Sequence, residues 1–356
     1  MKVLTVVGAR PQFIKAAPVS RVLRQHHEEF LLHTGQHYDD EMSDLFFRQL
    51  AIPAPDRNLE VGSGPHGAQT GAMLSGIESV AIEYRPDRVL VYGDTNSTLA
   101  GALAAAKLDV PVAHVEAGLR SFDRRMPEEV NRVVADHLST LLFCPTQTAV
   151  TNLGREGITD GVSMVGDVMF DAFQQNVEVA RRDSTILADL HLEPRGFQLL
   201  TVHRAENVDH IDNLKAILEG VAASGRTTVF PIHPRTRAAL KASGVTPGAN
   251  IKLIDPVGYL EMLSLEEAAE AVVTDSGGVQ KEAYFAARPC ITVRDRTEWI
   301  ETVDAGWNVL VGTDPNAIAE AMRNFRPAGE HLQLFGDGHA AERVVAGLGA
   351  GHKSVP

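Results

Sequence analysis

The sequence predicts an α/β protein built from two Rossmann-like domains with parallel sheets. Short apolar runs rich in β-branched residues alternate with stretches of helical spacing from one end of the chain to the other. The runs are continuous rather than alternating, which is typical of parallel strands covered by helices on both faces. There are twelve such runs in the 356 residues, and two sheets accommodate them better than one.

The strands follow one another at spacings that leave room for a crossover helix between most of them. They are predicted at Val3–Val7, Phe30–His33, Arg88–Tyr92, Val112–Val115, Leu141–Cys144, Val162–Val165, Leu199–Val202, Thr228–Ile232, Lys252–Ile254, Ala271–Thr274, Cys290–Val293 and Val309–Val311. Helices are predicted at Leu99–Lys107, Val130–His137, Leu214–Ala223 and Pro315–Asn324, with a long helical stretch at Asp171–Leu190 and a last helix at Ala340–Leu348.

The first strand series ends near Gly166 and Asp167, so the boundary between the two domains is predicted there. This gives an N-terminal domain at 1–166, a second domain at 167–338, and a tail at 339–356 whose helix is expected to pack back on the first domain. Ligands of open α/β sheets bind beyond the carboxyl ends of the strands, so candidate functional residues are sought there.

The amino-acid composition of the chain excludes some classes of binding partner. The chain carries 33 Lys and Arg against 46 Asp and Glu, a formal charge of −13, and such an acidic protein lacks the basic footprint of a general nucleic-acid or membrane binder. Cys144 and Cys290 are too few for a disulfide framework and are expected to be buried in a reducing compartment. No export signal and no membrane-spanning stretch is recognised, so the expected location is the cytoplasm.

Three acids lie at predicted strand or helix ends of the first domain. Asp94 follows one strand, Glu116 follows the next, and Glu128 lies in the first turn of a helix that begins at Pro127. Each alone is explained by helix capping or by the helix dipole. Together at one sheet end they would repel one another and supply an acid/base set for proton transfer at carbon. Metal binding competes with this interpretation, but no histidine pair with ligand spacing and no calcium loop accompanies them, so no metal is predicted.

Cations near the first strand end point to an anionic ligand. Gly8 permits a tight turn and Pro11 suits a first helical position, so Arg10 and Lys15 flank a helix N-terminus that favours an anion. Two surface cations beside a turn are the alternative. The pattern is not that of a dinucleotide-binding glycine loop, so no nicotinamide cofactor is predicted.

The second domain carries further signals for anion binding. His203 and Arg204 end one predicted strand, and His233 ends the next. The run Ser276, Gly277 and Gly278 joins a strand to a helix and exposes backbone N–H groups to a phosphate, with Glu282 about one turn further on for ribose hydroxyls.

Seven motifs make the chain similar to the non-hydrolysing UDP-N-acetylglucosamine 2-epimerases over essentially its whole length. They are GARPQFIK (8–15), GQHYD (35–39), GDTNST (93–98), HVEAGLRS (114–121), MPEEVNR (126–132), HRAEN (203–207) and DSGGVQKEA (275–283). The resemblance implies a glycosyltransferase-B-like fold with the UDP-sugar in the interdomain cleft. It also implies no metal, no cofactor and a homodimer.

The resemblance also implies roles for the candidate residues. Asp94, Glu116 and Glu128 match the acid/base carboxylates of the family, and His203 matches its catalytic histidine. The residues implied to hold the diphosphate, sugar or nucleoside are Arg10, Lys15, Arg132, His233, Ser276, Gly277, Gly278 and Glu282. Which carboxylate removes the proton and which returns it stays open.

The implied reaction is reversible C2 epimerisation of UDP-N-acetylglucosamine to UDP-N-acetylmannosamine for cell-surface polysaccharide precursors, through elimination of UDP to a 2-acetamidoglucal and re-addition. The alternatives are the same reaction on UDP-2,3-diacetamido-2,3-dideoxy-glucuronate, and hydrolysis that releases N-acetylmannosamine and UDP. Regulated bacterial members carry Arg where this chain has Ala68, and Gln36 and Gln69 are the candidates for an activating second UDP-sugar site.

Overall fold

Two parallel sheets organise the chain. The computed structural model describes residues 1–36 and 53–350, without the side chains of Arg10 and Ala350. The first sheet has the order β3-β2-β1-β4-β5-β6-β7, and every pairing in it is parallel. Its strands are β1 (Lys2–Val7), β2 (Glu28–His33), β3 (Arg57–Asn58), β4 (Arg88–Tyr92), β5 (Val112–Val115), β6 (Leu141–Cys144) and β7 (Val162–Met164).

The second sheet has the order β10-β9-β8-β11-β12-β13 and is also parallel throughout. Its strands are β8 (Gln198–Thr201), β9 (Thr228–Pro231), β10 (Ile251–Ile254), β11 (Val272–Thr274), β12 (Cys290–Thr292) and β13 (Asn308–Leu310). The central strands of both sheets are buried on both faces, as their unbroken apolar sequences require.

Helices connect the strands. They are α1 (Arg10–His26), α2 (His66–Tyr84), α3 (Asn96–Lys107), α4 (Pro127–Leu138), α5 (Gln147–Arg155), α6 (Val168–Asp183), α7 (Ile186–Asp189), α8 (Ala205–Val208), α9 (Ile211–Ser224), α10 (Pro234–Ser243), α11 (Tyr259–Ala268), α12 (Gly277–Phe285), α13 (Ile300–Asp304), α14 (Pro315–Asn324) and α15 (Ala340–Ala350). Among the described helices, none is long and apolar enough to cross a membrane.

The chain divides into two compact units. The first contains Met1–Gln174 and Phe335–Pro356, and the second contains Gln175–Leu334. Helix α15 belongs to the first unit and packs against α1. The sequence predicts domain limits at 166/167 and 338/339. These limits differ from the limits of the two compact units and stay predictions.

The predicted fold class is confirmed, because both sheets are parallel and flanked by helices. The strand β3 was not predicted: its two residues, Arg57 and Asn58, are polar and pair only at the edge of the sheet. The long helical stretch expected after Asp171 is divided in the structure into α6 and α7. Cys144 and Cys290 are both buried free thiols.

The strand order of each sheet reverses at one point. In the first sheet this point lies between β1 and β4, and in the second it lies between β8 and β11. Connections leave such neighbouring strands in opposite directions, so a crevice forms beyond their carboxyl ends. The loops after Val7 and Tyr92, and those after Thr201 and Thr274, are therefore the places where each unit has room for a ligand.

Candidate active site

A buried glutamine braces the two loops at the first crevice. The Gln12 Oε1 atom accepts from the backbone N–H groups of Gly8 at 2.8 Å and Ala9 at 3.1 Å. Its Nε2 atom donates to the carbonyl of Tyr92 at 2.9 Å and to the hydroxyl of Thr98 at 3.0 Å. Since Gln12 is only 1% exposed, all four bonds are shielded from water and fix the start of α1 against the end of β4.

Glu116 and Lys15 form a buried ion pair at this crevice. The Lys15 ammonium donates to Glu116 Oε2, and both residues are less than one-tenth exposed. Glu116 has a φ of +72°, a strained value for a residue with a side chain. Its backbone N–H donates to the carbonyl of Phe143 at 3.1 Å, which holds it in that conformation. The backbone therefore stores strain where the sequence predicts a catalytic acid.

Gly93 makes room for that pair. It has a φ of +61°, and a methyl group on it would lie 3.0 Å from Lys15 Nζ and 3.2 Å from Glu116 Oε2. Only glycine satisfies both the conformation and the space. The pair consequently lies directly beside the residue that precedes Asp94.

Asp94 is held by a cation on α4. The Arg132 guanidinium donates to Asp94 Oδ2, and the Asn131 amide donates to the Asp94 carbonyl at 2.9 Å. Arg132 is buried, whereas the Asp94 side chain keeps 27% of its surface exposed. Asp94 is thus oriented by the protein and still accessible to a ligand.

Of the two adjacent glutamates at the start of α4, Glu129 is the structural one. Its carboxylate accepts from the N–H and hydroxyl of Ser121 at 2.9 Å, from the N–H of Phe122 at 2.9 Å, and from Arg132 at 3.0 Å. Glu128 is half-buried and has no hydrogen bond or ion pair among the described residues. Its carboxylate is therefore available for proton transfer, as the sequence hypothesis requires.

The structure changes one part of the sequence argument. The three acids were expected to repel one another at the sheet end. Asp94 and Glu116 instead each have a cation partner, Arg132 and Lys15, and within the described residues no bond links either of them to Glu128. Lys15 and Arg132, expected to contact the substrate, also orient the carboxylates.

A histidine that the sequence analysis missed connects the loops that carry these acids. His114, in β5, is fully buried; its Nδ1 atom lies 2.7 Å from Asp136 Oδ1 and its Nε2 atom lies 2.7 Å from the Gly93 carbonyl. Asp136 Oδ2 also accepts from the N–H of Gly118 at 3.1 Å and from Arg120 at 2.7 Å. Burial alone would raise the pKa of Asp136, but His114 and Arg120 outweigh it and hold this pKa below its usual value.

Gln36 and Gln69, predicted for a second UDP-sugar site, both contact the start of α3. Gln36 Oε1 accepts from the N–H of Ser97 at 3.1 Å and from its hydroxyl at 2.7 Å. Gln69 Nε2 donates to the Gly62 carbonyl at 2.7 Å, and Gln69 Oε1 accepts from Asn96 at 2.8 Å. Both glutamines therefore contact the first turn of α3, which begins shortly after Asp94. The rest of the motif at 35–39, from residue 37 onward, lies outside the described residues.

In the second unit, a buried aspartate joins the loops at the other crevice. The Asp275 carboxylate accepts from the backbone N–H groups of His203 at 3.1 Å and Arg204 at 3.0 Å, and from the Asn207 amide at 3.1 Å. Asp275 is fully buried, so these bonds hold the end of β8 against the end of β11. Asp275 is the first residue of the motif at 275–283, but no role was predicted for it from the sequence.

The histidines of this unit lie together. The rings of His203 and His233 are 5.7 Å apart, and His233 Nδ1 caps α10 by accepting from the N–H of Arg235 at 3.2 Å. Desolvation lowers the pKa of His203 below its ordinary value; Arg204 and Arg235 add to this, while Asp275 opposes it. A neutral imidazole donates a hydrogen bond from one ring nitrogen and accepts one at the other, which suits a group that contacts a phosphate or a sugar hydroxyl.

The predicted phosphate-binding turn has the expected geometry. Ser276 caps α12 by accepting from the N–H of Val279 at 3.4 Å, and the helix begins at Gly277. The free N–H groups of this first turn attract an anion. Glu282 lies one turn further into α12 and is 6% exposed. Burial, and then the nearby charge of Glu282, raise the pKa of Glu266 well above its usual value.

No group of three or more potential metal ligands occurs in the described parts of the chain. The candidate residues of the first unit are acids and their cation partners, and those of the second unit are an anion-binding helix start with two histidines. The side chain of Arg10 lies outside the description. Two parallel sheets, with paired carboxylates at a strand-end crevice of one unit and an anion-attracting helix start in the other, are typical of nucleotide-sugar enzymes with a glycosyltransferase-B-like fold.

Comparison with known proteins agrees with this class of enzyme and identifies one family within it. The family model described as UDP-N-acetylglucosamine 2-epimerase matches residues 21–349. The chain is 52% identical over 351 residues to a UDP-N-acetylglucosamine 2-epimerase homolog of Methanococcus maripaludis, covering 97% of this chain and 98% of the relative. It is 48% identical over 355 residues to the UDP-2,3-diacetamido-2,3-dideoxy-D-glucuronate 2-epimerase of Pseudomonas aeruginosa, with the same coverage.

Among solved structures, the chain resembles the UDP-GlcNAc 2-epimerase of Methanocaldococcus jannaschii in complex with UDP-GlcNAc and UDP. The TM-score is 0.91 at 46% identity, with 98% of this chain and 99% of the other covered. The chain belongs to the UDP-N-acetylglucosamine 2-epimerase family.

Proposed function

We propose that the protein catalyses the reversible epimerisation of UDP-N-acetylglucosamine to UDP-N-acetylmannosamine. The observation that carries the proposal is the pair of oriented carboxylates at the ends of β4 and β5: Glu116 with Lys15, and Asp94 with Arg132. Inverting C2 requires a group that removes its proton and a group that returns one to the opposite face. Two fixed carboxylates on neighbouring strands, with Glu128 available nearby in sequence on α4, provide such a set.

In the proposed reaction a carboxylate takes the C2 proton, and the electrons of the C2–H bond form a double bond to C1. The C1–O bond breaks, and its electron pair leaves with UDP. The product beside UDP is 2-acetamidoglucal. In the return step a β-phosphate oxygen of UDP adds to C1 while an acid delivers a proton to the other face of C2. Atoms and charges balance without an oxidant, a metal or a nicotinamide.

The remaining assignments belong to the same proposal. Asp94, Glu116 and Glu128 form the acid/base set, and His203 contacts the reacting substrate. The residues proposed to bind substrate are Arg10, Lys15, Arg132, His233, Ser276, Gly277, Gly278 and Glu282. The helix start at Ser276 supports a phosphate contact, because its N–H groups have the orientation that anions prefer.

The regulatory, assembly and pathway assignments are also proposals. Gln36 and Gln69 contact the start of α3 shortly after Asp94, which supports their assignment to a second UDP-sugar site that affects the first. We further propose a cytoplasmic homodimer that serves polysaccharide precursor synthesis; light scattering coupled to gel filtration measures its mass against the 38.5 kDa of one chain.

The test is incubation of the purified protein with UDP-N-acetylglucosamine in D₂O, followed by proton NMR. UDP-N-acetylmannosamine with deuterium at C2 is the expected product. Free N-acetylmannosamine with UDP would instead show a hydrolysing enzyme. A parallel incubation uses UDP-2,3-diacetamido-2,3-dideoxy-glucuronate, because the relative from Pseudomonas aeruginosa that is 48% identical carries that substrate in its name. Turnover of this sugar alone would replace the proposed substrate.

The variant Glu116→Gln tests the role of the carboxylate. It should lose turnover and C2 exchange by at least about a hundredfold, the scale of general acid–base catalysis, while UDP affinity stays within a few-fold. Glu83→Gln is the matched control, because Glu83 is an exposed partner of Arg57 in the same unit. Equal loss of UDP binding in the Glu116 variant would show a binding or structural role instead.

A further inference from the structure

We propose that Phe122 contacts the sugar of the nucleotide-sugar substrate and shields it from water, an inference that rests on the proposed function. Phe122 lies in the loop between Glu116 and α4, the helix whose first turn carries Glu128. Its side chain is 72% exposed, the largest exposed fraction among the large apolar side chains of the described chain. A single exposed apolar residue is ordinary on a protein surface, so the proposal needs a second observation.

The backbone of Phe122 supplies that observation. Its φ is +58°, and among the described non-glycine residues with positive φ no other carries an apolar side chain larger than that of alanine. For a bulky residue this conformation is strained, and it persists only where the surroundings hold it. Strain of this kind is concentrated at active sites and ligand contacts, and here it presents an aromatic ring to solvent.

Glu129 holds the loop in the strained conformation. Its Oε1 atom accepts from the N–H of Phe122 at 2.9 Å, and its Oε2 atom accepts from the N–H and the hydroxyl of Ser121 at 2.9 Å. Glu129 is 2% exposed, so water does not compete for these bonds. Because Glu129 directly follows Glu128 in the chain, the loop is fixed against the turn that carries this proposed acid.

The same glutamate connects Phe122 to a second proposed acid. Arg132 donates to Glu129 Oε2 at 3.0 Å through one guanidinium nitrogen and to Asp94 Oδ2 through the other. Two buried side chains, those of Glu129 and Arg132, therefore join the backbone of Phe122 to the Asp94 carboxylate. This network of hydrogen bonds keeps the aromatic ring close to the proposed acid/base set.

The chemistry of the proposed intermediate explains what an aromatic ring would add there. The 2-acetamidoglucal has lost the diphosphate and carries no charge, so a helix start that attracts phosphate does not retain it. An aromatic side chain gives the sugar an apolar contact for its C–H groups and its acetamido methyl group, and it excludes water from C1 and C2. Phe122 should therefore affect sugar affinity and retention of the glucal more than UDP affinity.

The experiment compares wild-type protein with Phe122→Asn. Asparagine adopts a positive φ more readily than most residues, so this variant removes the ring without adding backbone strain. Calorimetry should show apparent affinity for UDP-N-acetylglucosamine reduced about fivefold to twentyfold, the scale of one aromatic contact, with UDP affinity within twofold of wild type. Proton NMR of the reaction should show UDP and free 2-acetamidoglucal accumulating faster than with wild type. Phe122→Tyr keeps the ring and should behave as wild type.

Met164→Asn is the matched control, because Met164 is a 58% exposed apolar residue on β7 of the same unit and should keep wild-type values. Affinity of Phe122→Asn for UDP-N-acetylglucosamine within twofold of wild type would overturn the proposal, and so would an equal loss of UDP affinity. A lower mass of Phe122→Asn in light scattering would also overturn it, by showing a contact between subunits instead.

A second variant covers a failure to fold. If Phe122→Asn does not fold, Phe122→Gly, which also permits a positive φ, is judged by the same comparison of affinities. The affinity measurements do not require turnover. A wild-type protein that binds the nucleotide sugar without epimerising it would therefore contradict the proposed function alone, and the role of Phe122 would still be decided.

Discussion

His114 provides the sharpest prediction about catalysis, because it joins the loops of two proposed acids without contacting substrate itself. The change is His114→Asn. The amide nitrogen of asparagine occupies about the place of Nδ1 and keeps the bond to Asp136, but nothing replaces Nε2, which lies 2.7 Å from the Gly93 carbonyl. The carbonyl of the residue before Asp94 thereby loses a buried donor.

The magnitude follows from that loss. A buried hydrogen bond contributes about 0.5–1.5 kcal/mol, and leaving the carbonyl of Gly93 without a donor costs about 1–3 kcal/mol more, so the free energy of unfolding of the first unit should fall by about 2–4 kcal/mol. Because about 1.4 kcal/mol corresponds to a factor of ten in rate, even part of this energy, expressed as displacement of Asp94, lowers kcat about tenfold to hundredfold. UDP affinity should stay within threefold.

The assay measures kcat and KM by product formation, with UDP binding and chemical denaturation measured in parallel. His114→Gln is the rescue variant, because its longer side chain places a donor near the position of Nε2; it should recover much of kcat. His26→Asn is the control, since His26 is an exposed histidine of the same unit, at the C-terminal end of α1. If His114→Asn loses stability but keeps kcat within twofold, the network is structural only and the positioning argument is refuted.

Two further predictions concern the space around Gly93 and the burial of Asp171. Gly93→Ala places a methyl group 3.0 Å from Lys15 Nζ at a φ of +61°, so turnover should fall at least about tenfold, as steady-state kinetics would show. Gly71→Ala is the control and should be fully active, because nothing lies within 4 Å of a methyl group there. A fully active Gly93→Ala would disprove the crowding argument. Asp171 accepts from Ala340 and Ala341 at the start of α15, and burial raises its pKa from 3.8 to about 6. A carboxyl with a raised folded-state pKa stabilises the fold fully below pH 3.8 and loses that contribution as pH rises through 6, about 3 kcal/mol in total. Denaturation from pH 4 to 7.5 should show wild type losing stability relative to Asp171→Asn, and a constant difference would contradict this.

The fold was largely predictable because most of its strands are nearly continuous apolar runs. Twelve of the thirteen described strands coincide with such runs, and the exception, β3, has only Arg57 and Asn58 at a sheet edge. Helix α2 was not anticipated: it carries three glycines and no cap residue that marks its start. Its position depends on packing against α3, which no local pattern reveals.

The candidate site was predictable only where chemistry coincides with a strand end. Asp94 and Glu116 were found because an acid after an apolar strand is conspicuous. His114 was missed because it lies inside β5, where an isolated polar residue shows no partner, and its contact with Asp136 joins residues far apart in sequence. The only available signal was that His114 is a polar residue in a strand that the apolar pattern predicts to be buried. A buried polar side chain needs a hydrogen-bond partner, but the sequence does not show which residue that partner is. Asp275 and Gln12 were read in motifs, but their bonds to loop backbone depend on strand order.

The cations of the first unit contact the proposed acids, and this decides what their substitution reports. Lys15 and Arg132 each contact a carboxylate, so replacing either removes a positive charge and also leaves Glu116 or Asp94 without that partner. The resulting loss combines substrate binding with the altered state of a proposed acid. Effects at Lys15 or Arg132 therefore need double variants with Glu116 or Asp94 before they are assigned to substrate.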